Sequence, residues 1–219
     1  MAKNSENIKH VKMATPQKME YYVSVQTDKE RKKFIDRVER IIRSSLEYKD
    51  YIGFLKENVG LDSCIFFQNV SQGKKKSHIS LEMHHEPLTL YDYVDIVLSK
   101  YQYEGLPIND LDIADEVMKI HYENKVGLVP LSKTAHEMVH NSEKLSVPLN
   151  MCYGNYSKFL DEYDQYVPDE IYNKIEKKME TTEKLTPESF DAIMKEFTYL
   201  DVNGFEEPHR MSVEKSEIA

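Results

Sequence analysis

Residues 78–88 read HISLEMHHEPL and residues 124–140 read NKVGLVPLSKTAHEMVH. The first stretch has the composition and alternation of a strand and is closed by Pro87. In the second, a short apolar run containing Pro130 has the character of an edge strand, and Ser132 or Thr134 offers a cap for a helix that starts there. His136 and His140 lie one turn apart on that helix, which sets their Cβ atoms about 6 Å apart on one face. The order is strand, intervening segment, strand, helix, with His84 and His85 ending the first strand. Four of the eight histidines in the 219-residue chain fall in these two pairs.

Imidazole is the commonest metal ligand and the side chain best suited to proton transfer near neutral pH. Neighbouring strand residues face opposite sides, so His84 and His85 diverge unless the chain turns, and Glu86 and Pro87 supply a turn. One of the two can then join His136 and His140 around an ion while the other takes a proton from water. A metal-assisted phosphodiester hydrolase needs that division of labour. Glu82 shares a strand side with His84 and is placed either to orient a ligand or to meet solvent.

Outward from this core, the pattern predicts mostly helix. MEYYVSVQ (19–26) is a candidate short strand, and residues 33–60 place Phe34, Ile35, Val38, Ile41 and Ile42 at helical spacing before a stop at Gly60. SCIFFQNV (63–70) and HISLEMHH (78–85) flank the turn-like SQGKKKS and are expected to pair antiparallel. Between the histidine pairs, residues 88–105 and 109–124 read as two helices, the second capped by Asn109 or Asp110. Tyr93, Val94, Val97 and Leu98 have the spacing of a packed helix. Beyond Asn155 come three more expected helices, in YSKFLDEYDQY, PDEIYNKIEKKMETTEK and TPESFDAIMKEFTYL, then about fifteen loose residues. This divides the chain into a mainly helical, partly basic region 1–60, a core 61–150 with a helical insertion 89–123, and a helical region 151–219.

Composition narrows the class. With 40% hydrophobic and 31% charged residues, the chain reads as soluble, and no apolar run approaches the roughly 20 residues of a membrane span. The polar N-terminus lacks a secretory core, which gives a cytoplasmic expectation with Cys64 and Cys152 reduced. No CxxC pair exists, so a zinc ribbon is excluded and each cysteine reads as a small core residue. The net charge is −9, but residues 1–45 carry +5 and the remainder −14. Arg31, Lys32, Lys33 and Arg37, with Lys74, Lys75 and Lys76, are candidate phosphate contacts; the helical charges also interleave with Asp28, Glu30, Asp36 and Glu39 as on a solvated face.

LEMHHEPL, Asn124, VGLVPLS and HEMVH together resemble the His-Asn-His (HNH) endonuclease family with its ββα-metal motif, and most of all the HxxxH branch of colicin-type DNases. The resemblance covers residues 77–142. It implies an α+β, mostly helical chain whose ββα-metal core carries N- and C-terminal helical additions. It makes His84, His136 and His140 the ligands of one divalent ion (Zn, Ni, Mn or Mg), and His85 the base that deprotonates water. It gives Asn124 the place of the central asparagine that steadies the base-bearing backbone. It further implies DNA as partner, 5′-phosphate and 3′-hydroxyl products, and a phage or mobile-element setting. The departure from the family is the stretch Glu86–Glu123, where a compact loop is usual. That insertion and the helical additions leave room for a protein partner, and His121 on the insertion is either a supporting or a packing histidine.

Two other readings stay open. His136-Glu137-Met138-Val139-His140 is also HExxH, the zincin signature with Glu137 as base, and Glu162 is an available later ligand. Glu143, however, stands where the longer metzincin consensus needs glycine, and a peptidase leaves His84, His85 and Asn124 without a role. The third reading is a non-catalytic binding or structural protein that an ion only staples.

Overall fold

The computed structural model describes residues 22–71, 80–141 and 145–184. The third C-terminal helix, the loose tail, His10, His78, His209 and Lys74–Lys76 lie outside these residues. The fold is α+β and mostly helical, as the sequence predicts.

Helix α1 (Asp28–Ser44) begins at a capping box in which the Thr27 side chain accepts from the Glu30 amide and the Glu30 carboxylate accepts from the Thr27 amide. Its buried row is Phe34, Ile35, Val38 and Ile42, each contributing about 1.5–3 kcal/mol by leaving water. The expected single helix to Gly60 is broken at Ser45, which is extended, ends α1, and caps α2 (Leu46–Phe54) by accepting from the Tyr48 amide. A wider turn, Leu55–Val59, carries the chain to Gly60, whose φ of 90° accounts for the stop. Residues 22–26 form no strand. Val23 donates to the Ile108 carbonyl instead, a single tie and not a ladder.

Strand pairing departs from the expected hairpin. The apolar run 63–70 folds back on itself as β1 (Ser63–Cys64) and β2 (Phe67–Ser71). Strand β3 (Leu81–His85) pairs antiparallel with β4 (Leu128–Ser132), in a register that sets His84 opposite Val129 and His85 opposite Leu128. All five β4 residues are buried, so the partner that covers β3 is the apolar one, not the neighbour in sequence. The Ile65 amide bonds the Pro130 carbonyl and ties the β1 turn to β4.

Between β3 and β4 stand α3 (Leu90–Tyr103) and α4 (Asp110–Tyr122). Tyr93, Val94, Val97 and Leu98 are fully buried, as their spacing predicts, and α1 packs across both helices. Arg31 clamps this contact through Asp95 (2.6 Å), Ser99 and Gln102, and Arg37 through Asp110 (2.7 Å). Both arginines, candidate phosphate contacts by sequence, are thus engaged within the fold, while Lys32 and Lys33 are exposed. Helix α5 (Lys133–Asn141) follows β4 directly, with the Ser132 hydroxyl accepting from the Ala135 amide. Helices α6 (Tyr156–Tyr163) and α7 (Asp169–Lys184) close the described chain, and Phe159, Ile171 and Ile175 join the same core as α1 and α3.

Candidate metal centre

The antiparallel β3–β4 pair puts the end of β3 beside the helix that β4 launches, so His84 meets His136 and His140. Ring centroids of His84 lie 5.0 and 5.1 Å from those of His136 and His140, and one ring nitrogen from each of the three lies within 4.8 Å of the others. His136 Nε2 and His140 Nε2 approach to 3.1 Å. Burial, then the neighbouring histidines, hold both rings below the ordinary histidine pKa, so near neutral pH they present lone pairs and not charges. Three imidazoles converging in this way fit a divalent ion.

Two carboxylates set the ring orientations. Glu82 Oε2 accepts from His136 Nδ1 at 2.6 Å, which leaves Nε2 of that ring for an ion. Glu86 Oε2 stands 3.2 Å from His84 Nε2, which leaves Nδ1. Glu82 is a candidate on strand periodicity, whereas the sequence presents Glu86 only as part of a turn. The buried Glu86 carboxylate also takes the ammonium of Lys178 from α7.

His85 faces away from His84, His136 and His140 into a pocket of rings. Tyr48 stacks at 6.4 Å, Tyr93 lies at 6.2 Å and His121 at 5.3 Å between centroids. Burial, helped by His121, Arg43 and His84, holds its pKa well below the ordinary value. The proton arrangement follows from His121, whose Nδ1 lies 2.7 Å from the Val117 carbonyl and must donate to it. His121 is neutral, because burial lowers its pKa to about 4, so its Nε2 is an acceptor. His85 Nε2, 3.0 Å away, therefore carries a hydrogen and donates it, and the basic nitrogen of His85 is Nδ1. His121 is a positioning residue for that tautomer.

The same depressed pKa has a stability consequence. The unfolded chain takes up a proton at His121 near pH 6.5 while the folded chain resists until about pH 4. The contribution is therefore complete above pH 6.5 and is lost as pH falls toward 4, amounting to roughly 3 kcal/mol. Urea unfolding at pH 7 and pH 4 is expected to show a pH dependence smaller by about that amount in His121→Gln than in the parent protein.

His84, His85, His136 and His140 all line one cleft of about 700 Å³, whose opposite wall is α1, α2 and the turn after them. Arg43, Lys49 and Lys56 stand on that wall. Arg43 pairs with Glu39 at 2.7 Å, Lys49 donates to the Ser44 carbonyl and Lys56 to the Leu81 carbonyl. Of these, only Arg43 belongs to the basic excess visible in the sequence. Lys49 and Lys56 sit in a stretch with no such excess, and only the placing of α2 and the turn after it across the cleft reveals them.

Asn124 does not line the cleft. It occupies the turn from α4 to β4 at φ 56°, and its buried Oδ1 has no hydrogen-bond partner. It abuts Gly154, where a Cβ would lie 3.1 Å from that oxygen and 1.9 Å from the Val126 carbonyl. Its backbone carbonyl accepts from the Asn155 amide, so it steadies the approach to β4 from behind. Glu137 lies on the solvent side of α5, 4.0 Å from Lys133 and outside the cleft, and Glu162 is held by Lys125 at 2.5 Å on another face. The peptidase reading needs Glu137 at the ion as base, with Glu162 as one available further ligand. Cys64 and Cys152 are free thiols, and burial raises the Cys152 pKa to about 12.

No described helix is long and apolar enough to cross a membrane. Residues 1–205 match a family model described as bacteriophage G278-like virion protein, which is all but the last 14 residues of the chain. No curated protein and no solved structure matches it.

Proposed function

We propose that this chain, which belongs to the bacteriophage G278-like virion protein family, is a metal-dependent endonuclease that hydrolyses DNA phosphodiester bonds. Family membership supplies the phage setting, and the chemistry rests on the chain's own residues. The observation that carries the reading is the split of the histidines. His84, His136 and His140 converge, while His85 is held neutral in the same cleft with its Nδ1 free. A divalent ion on the three imidazoles would stabilise charge developing on the scissile phosphate and ease departure of the 3′ oxygen. Zinc, nickel or manganese suits that donor set better than magnesium. His85 Nδ1 takes the proton of the attacking water, and His121 keeps Nδ1 as the acceptor by receiving the Nε2 hydrogen. Arg43, Lys49 and Lys56 hold the strand's phosphates against the opposite wall.

The test is cleavage of plasmid and oligonucleotide DNA by purified protein with each metal, scored for 5′-phosphate ends. Glu137→Ala is expected to keep at least half of the parent activity, because its side chain is turned to solvent. Loss of all hydrolysis in that variant, with cleavage of a protein substrate by the parent, makes the chain a zinc peptidase instead. The description of the family as a virion protein favours one further reading, a structural component stapled by the ion. Tight metal binding with no cleavage of any nucleic acid would establish it. The cationic wall has its own signature. The slope of log binding constant against log salt for duplex DNA is expected to become shallower by about 0.9 in Lys49→Gln and in Lys56→Gln, since each variant neutralises one phosphate fewer.

A further inference from the structure

Helix α7 reaches the histidine site through two lysines. Lys174 and Lys178 lie four residues apart and so share one face of the helix. Lys178 pairs with Glu86, and Lys174 with Asp92. These two carboxylates bracket the segment by which β3 passes into α3. Asp92 is also the capping-box residue of α3, accepting from the Thr89 amide and hydroxyl. Glu86 is the residue that holds the ring of His84. Its side chain is 4% exposed, and that of His84 is 6% exposed. A carboxylate so far from water needs a cation, and Lys178 is that cation. Without it, Glu86 would have to reach for solvent and release His84, because no other cation is paired with it among the described residues. Ile171 and Ile175 of α7, on the same side of the helix, are buried in the core that contains α3.

We infer that α7 is a clasp on the metal centre, with Lys178 and Glu86 acting as positioning residues that fix the ring of His84 for ligation. The inference rests on the reading that His84, His136 and His140 hold a divalent ion. It assigns part of the metal affinity to a helix about 90 residues beyond the strand that carries His84. In chemical terms the order is ammonium, carboxylate, imidazole, ion: Lys178 holds Glu86 Oε1, Oε2 holds His84 Nε2, and Nδ1 is left to ligate. Lys174 acts on the same segment at its other end, keeping the start of α3 in register with the turn.

The experiment is zinc titration of the full chain by calorimetry with chelator competition, together with melting of the protein with and without zinc. Loss of a partner to a ligating histidine commonly costs 10- to 100-fold in affinity. Lys178→Gln and Glu86→Ala are each expected to weaken zinc binding at least tenfold, Lys178→Arg to restore it to within about threefold, and the zinc-induced rise in melting temperature to shrink in step. A merely structural role would lower the melting temperature of the metal-free protein and leave the zinc affinity unchanged, which overturns the inference. Parental zinc affinity in Lys178→Gln overturns it also, while leaving the three-histidine site intact. A parent protein that binds no zinc overturns both. Should Glu86→Ala fail to fold, Lys178→Gln with its Lys178→Arg rescue decides the matter alone.

Discussion

Replacing His85 by alanine is expected to reduce DNA cleavage by about 10²- to 10⁴-fold, the range general base catalysis contributes, while zinc affinity stays within a few-fold of the parent. The separation follows from where the ring points. His85 contacts Tyr48, Tyr93 and His121, not His84, His136 or His140, so its loss leaves the three converging imidazoles in place. Supercoiled-plasmid nicking read beside calorimetric zinc titration checks both halves. Loss of metal together with activity would make His85 a ligand, and unchanged cleavage would make it a core histidine. The tautomer adds a finer expectation: His121→Gln keeps an acceptor for the Nε2 hydrogen and retains more activity than His121→Phe, which offers none.

His136→Ala is expected to show the opposite pattern, with zinc affinity falling by more than about 100-fold and cleavage falling with it. The loss exceeds that for removing a supporting carboxylate because a coordinate bond goes, not a hydrogen bond to a ligand. With zinc at 100 times the parent Kd, the ion stabilises the fold by about 2.7 kcal/mol, and a 100-fold weaker site retains only about 0.4 kcal/mol. Melting curves with and without zinc report this directly. A separation in the variant several-fold smaller than the clear separation in the parent is the expected result. His140→Ala is expected to behave alike, since its Nε2 faces the same point as that of His136.

The parts of the site that were legible in the sequence are those written in short spacings. HxxxH puts two imidazoles on one helical face, a strand ending in HH beside Pro87 offers a third and a fourth, and alternation puts Glu82 on the side of His84. The strand, two helices, strand and helix that support them were also readable, because α3 and α4 are amphipathic and Asn109 marks the start of the second. What escaped were relations between distant residues. The pairing of Glu86 with Lys178 spans 92 positions and leaves no local pattern. The run SCIFFQNV has no glycine or proline, so nothing in it marks the turn at Ile65 and Phe66. Arg31 and Arg37 looked like phosphate contacts because a charge pattern does not reveal that Asp95 and Asp110 pack opposite them.

Strands β3 and β4 have consequences for timing as well as geometry. The residue pair nearest the insertion, His85 and Leu128, joins positions 43 apart, and the Glu86 amide meets the Gly127 carbonyl just beyond it at 3.0 Å. Closing so long a span of flexible chain is entropically unfavourable, and it becomes cheaper once α3 and α4 have formed and shortened the gap. Gly127 tightens the requirement, since a Cβ there would fall 1.8 Å from the Glu86 carbonyl oxygen. The geometry of the site thus rests on a closure across 43 residues, whose entropic cost is least when the two helices between the histidine pairs are already docked.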